Sequence, residues 1–182
     1  EWLDQQDIQF VTQKDEGYQL TKILNKAAAI AKGDYLVWIM GDSYPKEDFL
    51  KELDKIVAPN RLVNGIRINV NDKGKEISQD WRLRFFGVDN YQVLAPAIRV
   101  KGCNRMTLNG MCMPRLAYEK MGGIPEEFKG YGKMDWYQAA WCESKNMELW
   151  WATRAILYHL DHSEREDSEE NNIVFERKLA EL

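Results

Sequence analysis

Residues 33–45 limit what this chain can become more than any other stretch. They read Gly33-Asp34-Tyr35-Leu36-Val37-Trp38-Ile39-Met40-Gly41-Asp42-Ser43-Tyr44-Pro45. The uninterrupted apolar run 35–40 is the pattern of a strand covered on both faces. Before it, Leu20, Ile23, Leu24, Ala27, Ala28 and Ala31 fall on one face of a helix, which Gly33 would end as a left-handed cap. Ile8, Phe10 and Val11 alternate as a short strand would. Strand, helix and strand at this spacing predict a right-handed, parallel βαβ unit, and hence an α/β fold with Asp42 at the carboxyl end of a strand. In open α/β sheets that edge forms the ligand crevice.

Further along, Ser43 and Pro45 read as the opening of a helix whose buried stripe is Phe49, Leu50, Leu53, Ile56 and Val57, stopped by Pro59. Residues 63–70 alternate as a strand, and Asn71-Asp72-Lys73-Gly74 is a hairpin turn. Residues 75–106 keep no steady period and read as an insertion with short elements. A strand is expected over 107–113 with Gly110 inside it, which marks close backbone approach by a ligand. A short helix over 114–121 ends at Gly122-Gly123. Gly130-Tyr131-Gly132 leads into a helix over 133–145 that carries Asp135 in its first turn. Two short strands are expected at 147–151 and 155–158. Residues 1–6 read as the end of a helix, with Trp2 and Leu3 as its contacts. The tail from Glu164 reads as an amphipathic helix through Ile173, Val174, Phe175 and Leu179.

At 182 residues the chain supports one domain. Its net charge of −4 argues against a nucleic-acid partner, which requires a basic face. No apolar run is long enough to span a bilayer, and no leader is read at the start. Cys103, Cys112 and Cys142 are an odd number without CxxC spacing. They read as reduced thiols of a cytoplasmic protein; peripheral attachment to a membrane and a homo-oligomer are left open.

Asp42, Asp135 and the only two histidines, His159 and His162, all fall at element ends. One carboxylate with one or two imidazoles suits Mn²⁺ or Mg²⁺ when phosphate oxygens complete the shell, and the second carboxylate could serve as a general base. Each has a plainer alternative: Asp42 and Asp135 as helix caps, and the histidines as a surface pair.

The order of these pieces resembles a family. Asn25-Lys26-Ala27, Ala31-Lys32-Gly33-Asp34-Tyr35-Leu36-Val37, Gly41-Asp42-Ser43-Tyr44-Pro45, Asn109-Gly110-Met111-Cys112-Met113-Pro114-Arg115, Gly122-Gly123-Ile124-Pro125-Glu126-Glu127-Phe128 with Gly130-Tyr131-Gly132-Lys133-Met134-Asp135-Trp136, and Tyr158-His159-Leu160-Asp161-His162 together resemble the inverting family 2 glycosyltransferases of the GT-A fold. The resemblance covers nearly the whole chain. It implies a single GT-A-like domain over 1–182, a Rossmann-type mixed sheet flanked by helices and lacking the first strand-helix-strand unit, hence incomplete at its N-terminus. It implies transfer from a nucleotide diphosphate sugar, a UDP-sugar, to a saccharide or glycoconjugate hydroxyl. By matching position, Asp42 with His162 or His159 would hold the metal, and Asp135 would take the acceptor proton. Asp42, Asn25, Gly110 and Gly132 would line the nucleotide-sugar site. Trp81, Trp136 and Tyr131 are candidates for stacking on sugar rings, with core packing as the alternative. Met40 stands where the family has the first Asp of its DXD motif, and Met134 where it has a Glu. Those departures, with the missing start, keep two rivals in view: an inactive sugar- or nucleotide-binding module and a nucleotidyltransferase.

Overall fold

The computed structural model describes residues 8–14, 16–162 and 168–182. The readings of a helix end at 1–6 and of the tail's first residues therefore lie outside the described residues. Ile8 to Val11 form no strand, and Ile8 and Phe10 stand exposed among the described residues. Helix α1 (Leu20–Ile30) follows and buries Thr21 and Leu24. It ends because Ala31 turns extended, at φ −66° and ψ 136°, while its amide still reaches Ala27 and Ala28. Gly33 is not a left-handed cap.

The apolar run becomes β1 (Tyr35–Val37). No described strand precedes α1, and β1 pairs antiparallel with a later strand, so the expected parallel βαβ unit is absent. After Asp42 the chain forms β2 (Ser43–Pro45) rather than a helix. β2 lies at the sheet's edge, where the missing amide of Pro45 costs little. Helix α2 (Phe49–Asp54) starts only after Asp48. Phe49, Leu53 and Ile56 are buried beneath it, and Leu50 is not.

β3 (Arg61–Val70) turns into β4 (Glu76–Gln79) as expected. Asn71 Oδ1 accepts the amides of Lys73 and Lys75, and Gly74 supplies φ +74°. The unperiodic stretch holds 3₁₀ turns at Trp81–Phe86, Tyr91–Val93 and Cys103–Arg105, with β5 (Ala97–Val100) among them. β6 (Met111–Pro114) begins later than expected, because residues 108–110 turn. The rest of the described chain is α3 (Arg115–Met121), α4 (Met134–Ser144), β7 (Glu148–Leu160) and α5 (Glu169–Ala180). β7 is one strand where two were expected.

The sheet runs β1-β6-β3-β7-β2, with β4 added to β3 and β5 to β7; only β3 and β7 are parallel. It branches. The first half of β3 pairs with β6 and its second half with β4, while the first half of β7 pairs with β5 and its second half with β2. At the branch Gly65 faces Ala152 and the next residue, Ile66, faces Ile156, so Thr153, Arg154 and Ala155 bulge from β7. A side chain at Gly65 would begin 2.8 Å from Ala155 O and 2.9 Å from the Phe49 ring.

Arg82 secures this branch from within the core. It donates to Asp80 Oδ1 at 2.8 Å, Asn64 Oδ1 at 2.7 Å and Gly65 O at 2.9 Å, and lies 4.8 Å over the Trp151 ring. The short carboxyl-terminal sheet β2-β7-β3-β4 thereby takes a fixed place relative to the larger one.

Candidate metal centre

β2 owes its place beside β7 to a register in which Ser43 faces His159. Asp42, one residue earlier, accepts the Leu160 amide on its carbonyl at 2.8 Å. Asp161 then donates its amide to Val70 O at 2.9 Å, so the chain leaving β7 is held against the end of β3. These backbone bonds bring Asp42, His159 and His162 to one corner of the carboxyl-terminal sheet.

The two imidazoles converge on a single carboxylate oxygen. Nε2 of His159 lies 3.6 Å and Nε2 of His162 3.4 Å from Asp42 Oδ2. The three ligand atoms all fall within 4.8 Å of one another, and the rings meet at 60° with centroids 5.0 Å apart. His159 is 8% exposed, whereas the side chains of Asp42 and His162 reach solvent at 40% and 45%. The site is therefore walled on the sheet side and open on the other. Burial first, and the Arg67 charge next, hold the His159 imidazole below its ordinary value, against the pull of Asp42. A neutral imidazole is the form that ligates a metal.

The donor set fits a divalent ion. Atoms that share an ion at about 2.1 Å lie about 3–4 Å apart, close to the separations here. Two imidazoles with one carboxylate favour a transition ion over Mg²⁺, which prefers oxygen and retains water.

A second layer orients the first. Ser43 Oγ donates to Asp42 Oδ1 at 3.2 Å and receives Asn109 Nδ2 at 2.6 Å. Asn109 Oδ1 in turn accepts the Met40 amide at 3.3 Å. The backbone before Asp42 and the carboxylate itself are thus tied to the turn that precedes β6. The sequence offered Ser43 only as a helix cap and Asn109 only as the neighbour of a glycine. The strand reading at residue 43 was the missing signal.

Asp135 is not part of this cluster. It stands in the first turn of α4, where its Oδ1 accepts the Trp136 amide at 2.9 Å. Its charge is felt at Cys103, whose thiol is pushed up first by burial, then by Glu143, and least by Asp135. Met134 beside it is buried in the core. The Gly132 carbonyl is occupied by Asn171 Nδ2 at 2.8 Å, as is that of Gly130. α5 thereby clamps the glycine loop.

Two further expected binding positions make contacts within the fold. Asn25 bonds the Ile124 carbonyl and amide at 2.8 and 2.9 Å and receives the Tyr118 hydroxyl, fixing α1 to the turn after α3. At Gly110 the close approach is made by Leu157: an added Cβ would lie 2.6 Å from its Cδ1. A core side chain thus fills the space beside the Gly110 α-carbon. Among the aromatic candidates, Trp136 packs edge-on against Phe175 beneath Lys133 Nζ. Trp81 packs against Phe85 and Arg84. Tyr131 is 42% exposed and meets Tyr18 edge-on.

A branched mixed sheet flanked by helices, with Asp42 following its first strand and a histidine closing its last, is a GT-A-like fold. The crystal structure of GalNAc-T7 with UDP, GalNAc and Mn²⁺ shares it, at a TM-score of 0.65 and 12% identity. That match covers 94% of this chain and 36% of the other, so this chain spans little over a third of its neighbour's length. No family model matches the sequence, and no curated protein does. No helix among the described residues is long and apolar enough to cross a membrane.

Proposed function

We propose that this chain is the metal- and nucleotide-binding part of a glycosyltransferase that moves a sugar from a UDP-sugar to a hydroxyl of a saccharide or glycoconjugate. The observation that carries the reading is the convergence of Asp42, His159 and His162 at a strand-end corner. Its support is a fold held in common with a protein crystallised with UDP, GalNAc and Mn²⁺.

In this reading Asp42, His159 and His162 hold Mn²⁺ or a similar divalent ion. When bound, it supplies positive charge to the departing diphosphate. Ser43 and Asn109 keep the carboxylate aimed. Asp135, in the first turn of α4, takes the proton of the attacking acceptor hydroxyl. Attack from the face opposite the leaving group inverts the anomeric centre, as the family 2 resemblance implies. The buried Met134, like Met40, supports the binding-module reading, since the first turn of α4 then offers a single carboxylate.

The test is Mn²⁺ and UDP titration by calorimetry, paired with turnover of a UDP-sugar panel. Asp42→Asn is expected to weaken Mn²⁺ by at least about tenfold. Asp135→Asn is expected to abolish transfer while leaving Mn²⁺ affinity unchanged. Mn²⁺-dependent UDP binding without hydrolysis or transfer by the wild type would select the binding module. No Mn²⁺ binding would end the metal reading.

A further inference from the structure

One row of side chains crosses the whole carboxyl-terminal sheet beside this site. Ser43 on β2 is registered on His159 of β7, His159 on Asn69 of β3, and Asn69 on Ser78 of β4. Registered neighbours leave the same face of a sheet, so the four side chains stand side by side. Nδ1 of His159 lies 3.2 Å from Asn69 Oδ1. On its other side the Asn69 amide donates from Nδ2 to Ser78 Oγ at 2.9 Å. With a carbonyl oxygen facing it, Nδ1 makes this bond only when it carries the proton. Nε2 then keeps its lone pair, and Nε2 is the atom turned toward Asp42 Oδ2.

We propose that Asn69 is the positioning residue of this corner: it locks His159 in the Nδ1–H tautomer, so that Nε2 and Asp42 present two lone pairs to one divalent cation. The ring of a metal-binding histidine is usually fixed in this way by an acceptor on its other nitrogen. Two acceptors facing each other repel until a positive charge lies between them, so the arrangement favours a cation over a plain Asp–His hydrogen bond. That bond would need the proton on Nε2, the tautomer a histidine in water prefers. The use assigned to Asn69 rests on the metal reading above, but the tautomer can be measured without any metal.

The experiment is nitrogen-proton correlation NMR on metal-free, ¹⁵N-histidine-labelled protein above the titration range of imidazole. It is paired with Mn²⁺ titration of the same samples. The wild type is expected to show His159 with a protonated Nδ1 and a bare Nε2. Asn69→Leu removes the acceptor at similar volume and is expected to move His159 toward the Nε2–H pattern and to weaken Mn²⁺ by about 10–100-fold. Asn69→Asp restores an acceptor and is expected to restore the wild-type pattern. An Nε2–H tautomer in the wild type, or a spectrum indifferent to Asn69→Leu, overturns the assignment. Should Asn69→Leu not fold, the wild-type spectrum and that of Asn69→Asp still decide it. A wild type with the expected tautomer and no affinity for Mn²⁺ would defeat the metal reading and leave Asn69 in its role. One that binds Mn²⁺ from the Nε2–H form would do the reverse.

Discussion

Replacing Arg82 by Met tests how the branch of the sheet is held. The side chains of Arg82 and Asp80 are each 1% exposed. The guanidinium donates to both Asp80 oxygens, to Asn64 Oδ1, and to the Gly65 and Arg105 carbonyls. Burial alone would push the Asp80 carboxyl up. The Arg82 charge and hydrogen bonds from its side chain, with those from the amides of Arg67 and Arg82, hold it below the usual carboxylate range instead. Arg82→Met preserves the hydrophobic stem and leaves a buried carboxylate without its counter-charge, a loss of about 3–5 kcal/mol. With a urea slope of about 2 kcal/mol/M, the midpoint should fall by about 2 M with the slope unchanged. Asp80→Asn alone strands the guanidinium and should cost about as much. The double variant removes both charges, and its Asn can still accept an amide at that position. It should lie only about 1–3 kcal/mol below wild type, the cost of the Gly65 and Arg105 carbonyls left short of a donor. The prediction is that the double variant is more stable than either single one in equilibrium urea unfolding. Losses that add to within about 0.5 kcal/mol would refute the claim that the two charges answer each other.

Gly110 has φ +80°, and an added methyl would meet Leu157. Gly110→Ala should therefore cost about 1–3 kcal/mol in the same urea assay, and a loss under about 0.5 kcal/mol would mean that the turn yields freely. His159, held below its ordinary value in the fold, binds a proton more readily when unfolded. Its contribution is complete above the unfolded value of about 6.5 and is lost as pH falls from there through the folded value. In metal-free buffer the wild type should lose more stability between pH 7.5 and pH 5.5 than His159→Gln does, and parallel losses would contradict the burial argument.

The α/β class, α1, the β3–β4 hairpin, α4 and the residues that meet at one corner, Asp42, His159 and His162, were legible in the sequence. The local pattern around that corner was partly misread. Ser43 and Pro45 carry every mark of a helix start, yet they form β2, because an edge strand accepts proline and the second half of β7 needs a partner. That pairing, and not a helix dipole, places Asp42 beside His159. The two strands expected at 147–151 and 155–158 are one strand interrupted by a bulge. Local alternation cannot tell an interruption that leaves the sheet from one that stays in it. Asn69 was legible only as the polar partner of Ile66, Ile68 and Val70 in an alternating strand. Its link to His159 spans 90 residues, and no short-range signal encodes that. Asn25 was singled out by resemblance and Gly110 also by its place in an expected strand, and each makes contacts within the fold.

The candidate site lies beyond the branch, at the ends of two long parallel strands whose register shifts at Gly65 and Ile66. Here the bulge at 153–155 absorbs the mismatch, and its residues are fastened to the unperiodic segment: Thr153 bonds Ala95 and Pro96, and Arg154 reaches the carbonyls of Tyr91, Gln92 and Leu94. On the facing strand Gly65 admits the bulge, and Arg82 ties Gly65 and Asn64 to the same segment. Asn69 lies four residues beyond Gly65 and His159 four beyond Ala155, so both arms of the site start from this fastening. The stretch with the least readable sequence is therefore the one that fastens the branch from which the strand ends carrying Asn69 and His159 extend.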